Sequence, residues 1–311
     1  MKRSDALALF AAACAAAPIT AGAQSTKKIR VGVNPGESLS QGLLTDGGGF
    51  FAKAGLEVEQ VLVTNGGAMT TGIVAGAIDI GPTNITSVSS AYIRGVDIKL
   101  FAPSVIVSSS SPATTALAVH KDSPLRSPKD FVGKTIALST IHDLQQAAIM
   151  TWLEQNGVDS KSVQFIEIPN AQQLAAVTAK RVDAACFVEP FLSPAKSEIR
   201  IVTAPYSSLG NRLMTFGWIA NKDWREANAA MLPRIATAIR LSAVWANHNH
   251  DATAAIISLA AKLPLEAFKT MNRQTFSEGT LDPTLIQPII DASARYGFLT
   301  KSFPAAELFA S

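Results

Sequence analysis

Residues 72–102, GIVAGAIDIGPTNITSVSSAYIRGVDIKLFA, restrict this chain more than any other stretch. An Ala/Gly-rich helix end leads through Asp79 into a very short apolar strand, residues 78–80, and then into the turn Gly81-Pro82-Thr83-Asn84. A second helix carries Ile85, Val88, Ser89, Tyr92 and Ile93 and stops at Gly95, before an apolar run over residues 98–107. Helical spacing flanked by short β runs predicts a β-α-β unit. The turn 81–84 then falls at the C-terminal end of a strand, where open α/β sheets place their ligands. Thr83 or Asn84 caps the next helix, so backbone N–H groups there face a ligand.

The same alternation runs through most of the chain. Strands are predicted at residues 28–33, 56–63, 115–120, 135–138, 163–168, 184–188, 199–203 and 215–220. Helices are predicted from about 38 to 54, at 68–75, 144–155 and 171–180, with a short one opened by Ser127 and Pro128. Gly47-Gly48-Gly49 weakens the first helix, since each Gly costs roughly 1 kcal/mol relative to Ala. It lacks the G-x-x-x-x-G-K-[ST] pattern of a phosphate loop. Alternation predicts a mostly parallel sheet in each half. Beyond residue 226 the pattern turns wholly helical, at 227–246, 251–263, 265–273 and 283–296.

With 311 residues, 48% hydrophobic and 16% charged, the chain is long enough for two domains with buried cores. Its N-terminus reads as a processing signal: Lys2 and Arg3, an apolar stretch from Ala6 to Ile19, and the A-x-A site Ala21-Gly22-Ala23. Residues 1–23 are expected to be a signal peptide cut after Ala23. The apolar run is shorter than the ~20 residues a membrane span needs. Net charge is +3, with no basic run that would argue for nucleic acid. After cleavage Cys186 is the one cysteine left, so no internal disulfide forms. It lies in the apolar run 184–188 and reads as a buried small hydrophobe.

Four segments carry a family resemblance: AGAIDIGPTN followed by AYIRGVDIKLFA, then FFAKAGLEVE, ALAVHKDSPLRSPKDFVGKTIALS and VDAACFVEPF. Their order and spacing resemble the periplasmic solute-binding proteins of ABC importers, in the nitrate/sulfonate/thiamine-precursor group. The resemblance covers nearly all of the chain after the leader. It implies an α/β fold of the two-lobed periplasmic-binding-protein type II class. Two doubly wound sheets would be joined by a two-strand hinge, with C-terminal helices packed on lobe one. Residues 24–110 and 222–311 would form lobe one and 111–221 lobe two. The crossings would run through the Ser/Pro segment 108–112 and through 221–224. It further implies a monomer in the periplasm, no cofactor, no nucleic acid, and two partners: a small solute and a permease in the inner membrane.

Catalytic chemistry finds little support in the residues. There is no G-x-S-x-G, and the four histidines (His120, His142, His248, His250) form no triad pattern. His248-Asn249-His250-Asp251 is the best metal candidate, but it lacks the four ligands of a structural site and reads more simply as a helix cap. What remains is binding by small polar turns at strand ends. These are Asn34, Pro35, Gly36 and Ser38; Thr64, Asn65, Gly66 and Gly67; Pro82, Thr83 and Asn84; Ser139, Thr140 and His142; and Glu189, with Ser110 and Arg212 at the crossings. If both lobes are doubly wound, these turns face one cleft and several helix N-termini point into it, favouring an anion. Arg212 can pair a sulfonate or carboxylate. Glu189 argues the other way, toward an amine or aminopyrimidine, and Phe187, Phe191, Phe216 and Trp218 can stack on a ring. The reading adopted is a receptor for a small organic anion: sulfonate, nitrate or aromatic carboxylate. The alternatives are a pyrimidine or thiamine-precursor binder and a secreted hydrolase using His142 or His120.

Overall fold

A computed structural model describes residues 28–310. The predicted leader and its cleavage site lie outside these residues. Among the described residues no helix is long and apolar enough to cross a membrane.

The first lobe begins with β1 (Ile29–Val33), α1 (Gln41–Gly47), α2 (Phe50–Lys53), β2 (Val58–Leu62), α3 (Gly66–Val74), β3 (Gly81–Asn84), α4 (Ile85–Ile93) and β4 (Ile98–Pro103). β1 pairs β2 in parallel, and Val31 bridges Ile80 where the chain enters β3. β5 (Val105–Ser108) then carries the chain to the second lobe. That lobe holds β6 (Thr115–His120), β7 (Thr135–Leu138), α5 (Leu144–Gln155), β8 (Gln164–Glu167), α6 (Asn170–Thr178), β9 (Ala184–Val188), α7 (Leu192–Ala195) and β10 (Ile199–Thr203). The chain returns through β11 (Arg212–Met214) to β12 (Phe216–Asn221), which inserts between β3 and β4 antiparallel to both. The first sheet therefore runs β2-β1-β3-β12-β4. The remainder is α8 (Lys222–Ala227), α9 (Leu232–His248), α10 (His250–Ala261), α11 (Leu265–Lys269), β13 (Thr275–Phe276) and α12 (Gln287–Arg295).

The second sheet is ordered β10-β6-β9-β7-β8. It is mixed, where alternation predicts a mostly parallel sheet. β7 runs parallel to β8 and β9, but β6 is antiparallel to β9 and β10. The β6–β7 connection holds only a 3-10 turn, Pro128–Phe131, too little for the helical crossover that a parallel neighbour requires. β9 shows why this strand reads as unbroken apolar sequence. Ala184 and Cys186 join the core on one face, Ala185 and Phe187 that on the other, as in any strand covered on both sides.

Several boundaries depart from the sequence reading. The residues predicted as a turn, 81–84, are the strand β3 itself, because β12 supplies partners from Ile219↔Gly81 to Phe216↔Asn84. A Cβ on Gly81 would lie 2.4 Å from Met69 Sδ, so only glycine lets β3 pack this closely under α3. The first helix breaks into α1 and α2 at Gly48-Gly49, with Gly49 at φ 73. The return crossing is not at 221–224: Asn221 ends β12 and caps α8, accepting from Trp224 N at 2.9 Å. Residues 216–221 thus belong to the lobe-one sheet rather than to lobe two, and the crossing lies at β11. There β5 is flanked by β11 and by β13, a strand in the C-terminal part that reads as wholly helical in the sequence.

The lobe-one core wraps Phe51 and Trp218, both fully buried, and each such side chain contributes about 1.5–3 kcal/mol on burial. Trp218 Nε1 donates to Gln41 Oε1 at 2.7 Å, tying β12 to α1. α9 packs on α1 and α2, whereas α12 packs on α4 of lobe one and also on α5 of lobe two.

Candidate functional site

A cleft of about 1220 Å³ opens between the lobes. Its lobe-one wall is made of strand-to-helix junctions. Asn34 folds its own turn, accepting from Gly36 N at 2.7 Å and donating to Val63 O at 2.7 Å, which joins the ends of β1 and β2. Ser38 accepts from Gln274 Nε2 at 3.0 Å. Asn65 caps α3, its side-chain oxygen taking the Ala68 N–H at 2.9 Å; Asn84 caps α4 through Ser87 N–H at 2.7 Å. A Cβ on Gly66 would stand 2.6 Å from Asn84 Nδ2, so this glycine is what lets the two helix starts meet. Thr86, one position into α4, is only 5% exposed, and its hydroxyl has no partner among the described residues.

The lobe-two wall is built by the β7–α5 turn. Ser139 Oγ reaches Gln145 Oε1 at 3.4 Å. His142 sits at φ 55, a conformation uncommon outside glycine. It is held there by its N–H donating to Gln146 Oε1 at 2.6 Å and by its ring against Phe298 at 5.2 Å. Asp143 caps α5 by accepting from Leu144 N at 2.6 Å. Burial pushes its carboxyl up to about 6, against the opposing pull of that N–H. Tyr206, from the turn Pro205–Ser208, faces the same space. Its phenol is pushed well up by burial, then by Cys186 and Asp143, and lies within reach of Thr115 and Gln145. Cys186 itself is buried, and burial followed by Asp143 raises its thiol far above the usual range.

Of the residues predicted from sequence, Asn34, Pro35, Gly36, Ser38, Thr64, Asn65, Gly66, Gly67, Asn84, Ser139, Thr140, His142 and Glu189 lie together on the cleft wall. Pro82 and Thr83 do not: they are buried strand residues behind it. Thr83 Oγ1 donates to Gly66 O at 2.8 Å and pairs with Thr70 Oγ1, locking α3 onto β3. Ser110 is exposed on the hinge loop and bonds Ser108. Arg212 is exposed on β11 and sits close enough to Asp282 to help lower that carboxyl, after the larger effect of Thr284. Glu189 is 4% exposed and fully engaged, accepting from Ser193 Oγ at 2.6 Å, Ser193 N at 3.1 Å and Asn272 N at 3.1 Å. It ties the end of β9 to the C-terminal segment and is no free anchor for a ligand. Sequence reasoning did not select Thr86, Arg94, Asp143, Gln145, Tyr206 or Phe298, which also face the cleft. Asp143 had a legible signal, since an Asp before an apolar helix is a cap at a strand end. Tyr206 had none, because it comes from an irregular return segment.

Among the described residues no cluster of three or more His, Cys, Asp or Glu could hold a metal. His248 and His250 are exposed at the α9–α10 corner and do not face the cleft.

Two mixed α/β lobes joined by a small hinge sheet, with helix starts gathered on the gap between them, define a periplasmic-binding-protein fold. The family described as NMT1/THI5 like matches residues 43–253, and the chain belongs to it. The aliphatic sulphonate binding protein SsuA of Escherichia coli superposes with a TM-score of 0.76 at 18% identity, over 92% of this chain and 98% of that one. The periplasmic nitrate-binding protein NrtA of Synechocystis PCC 6803 gives 0.71 at 17% identity, over 90% and 84%. An ABC transporter periplasmic binding protein of Brachyspira hyodysenteriae is 27% identical over 161 residues, 49% of this chain and 46% of that protein. The chain thus aligns with about half the length of that curated relative. The solved structures are similar in fold; all three relatives carry names of binding proteins rather than enzymes.

Proposed function

We propose that this protein is the periplasmic solute receptor of an ABC importer, capturing a small organic anion between its lobes and handing it to the permease. The observation that carries this reading is the gathering of the α3, α4, α5 and α6 starts on one cleft. Each helix start presents unsatisfied N–H groups and about half a positive charge. The unpartnered Thr86 hydroxyl adds a donor beside α4. The saturation of Glu189 removes the main objection to an anion that the sequence raises. The nearest relatives in fold are named for sulfonates and nitrate. The protein acts as a monomer, closing by hinge bending about β5 and β11.

The test is a thermal-shift screen with nitrate, alkanesulfonates, aminosulfonates, aromatic carboxylates and aminopyrimidines. Ligand at about 100 times its Kd adds roughly 2.7 kcal/mol of stability. A shift confined to the anions is expected. A shift confined to aminopyrimidines would replace this reading with the heteroaromatic one. No shift with any solute, together with turnover of an ester or amide, would replace it with a hydrolase.

A further inference from the structure

The charges on the cleft wall are divided by lobe. Lobe one contributes the starts of α3 and α4, both capped by neutral amides, and the exposed guanidinium of Arg94. On lobe two the cap of α5 is a carboxylate. Asp143 accepts one hydrogen bond, from its own helix, and forms no ion pair with any described residue. Its polar neighbours are the phenol of Tyr206 and the thiol of Cys186, whose ionisation Asp143 opposes, so both stay neutral. Glu189, the other carboxylate facing the cleft, already holds three donors. A half-buried carboxylate that faces a ligand cavity without a cation is an incomplete pair.

We infer that the ligand completes it: the cleft takes a small zwitterion, with its anionic group on the α3/α4 wall and its ammonium on Asp143. This rests on the anion-capture reading and narrows it. The desolvation that raises the Asp143 carboxyl acts in the same direction, since a cation placed there would relieve it.

Isothermal titration of the purified protein with two matched pairs tests the inference. The pairs are 2-aminoethanesulfonate against ethanesulfonate, and 3-aminopropanoate against propanoate. A charge-assisted hydrogen bond predicts about 10- to 100-fold tighter binding of the amino member of the pair that binds. Asp143→Asn should reduce that preference to within about threefold, because it removes the charge and little else. The substitution keeps the cap, as Asn65 and Asn84 perform the same task on α3 and α4. The wild-type comparison stands whether or not the variant folds. Equal binding of both members by the wild type, or a preference that survives in the variant, overturns the zwitterion and leaves anion capture standing. Binding of none of the four by the wild type overturns anion capture itself, and the zwitterion with it.

Discussion

Asp143 is also a stability statement. Its folded value of about 6 lies above the unfolded carboxylate value near 3.9, so the folded state holds the proton longer. Above about pH 6 both states are ionised and the folded state bears the whole desolvation cost. As pH falls from 6 toward 4 that cost is relieved, so this group adds stability on acidification. Asp143→Asn should therefore stabilise the ligand-free protein at pH 7.5 by about 1 kcal/mol, a discounted figure because water still reaches the side chain. The gain should shrink toward zero at pH 4.5. Urea midpoints at the two pH values check it, and a gain independent of pH would refute the assignment. Gly66 gives a second residue-scale test. Gly66→Ala places a methyl 2.6 Å from Asn84 Nδ2 and 3.2 Å from Thr83 Oγ1. It should cost about 1–3 kcal/mol by overpacking and loosen the junction of the α3 and α4 caps. A variant as stable as the parent would show that the junction yields freely.

The element most open to test is α12 with the residues after it. Arg295 and Tyr296, at its C-terminal end, reach into lobe two, where Glu154 of α5 pairs with Arg295 and accepts from Tyr296 OH at 3.1 Å. Tyr296 OH also meets Thr151 Oγ1 at 3.2 Å. Glu154→Ala should lower stability by about 1–2 kcal/mol, and Tyr296→Phe in that background should add little if the two act as one unit. Additive losses in a double-mutant cycle would show that they do not. At this scale the sequence was readable where local chemistry decides. Caps at Asn65, Asn84 and Asp143, and the polar turns they close, announce themselves because their partners lie within three residues. Strand identity at 81–84 was not readable, since Gly-Pro-Thr-Asn is turn chemistry locally and becomes β3 only because β12, over 130 residues away, supplies its ladder. The antiparallel placement of β6, the role of β13 and the capture of Glu189 by Asn272 are likewise long-range outcomes. Pro82, Thr83, Ser110 and Arg212 were chosen for residue type, and the fold turned each away from the cleft.

For the whole molecule, the hinge predicts motion. β5 and β11 are the two chain crossings, while β13 and the Glu189–Asn272 contact brace them from the C-terminal side. Adding a ligand found by the thermal-shift screen should shrink the radius of gyration measured by X-ray scattering in solution. An unchanged radius at saturating ligand would argue for a rigid cleft.

The insertion of β12 between β3 and β4 sets an order of assembly. Residues 115–203 form the second sheet without any later strand. The first sheet keeps a slot open between β3 and β4 until residues 216–221 are present, and the hinge sheet stays incomplete until 275–276. A chain delivered N-terminus first can thus close its middle before its beginning. Until then its first hundred residues expose two unpaired strand edges, the kind of surface to which a holding chaperone or an aggregating neighbour would attach.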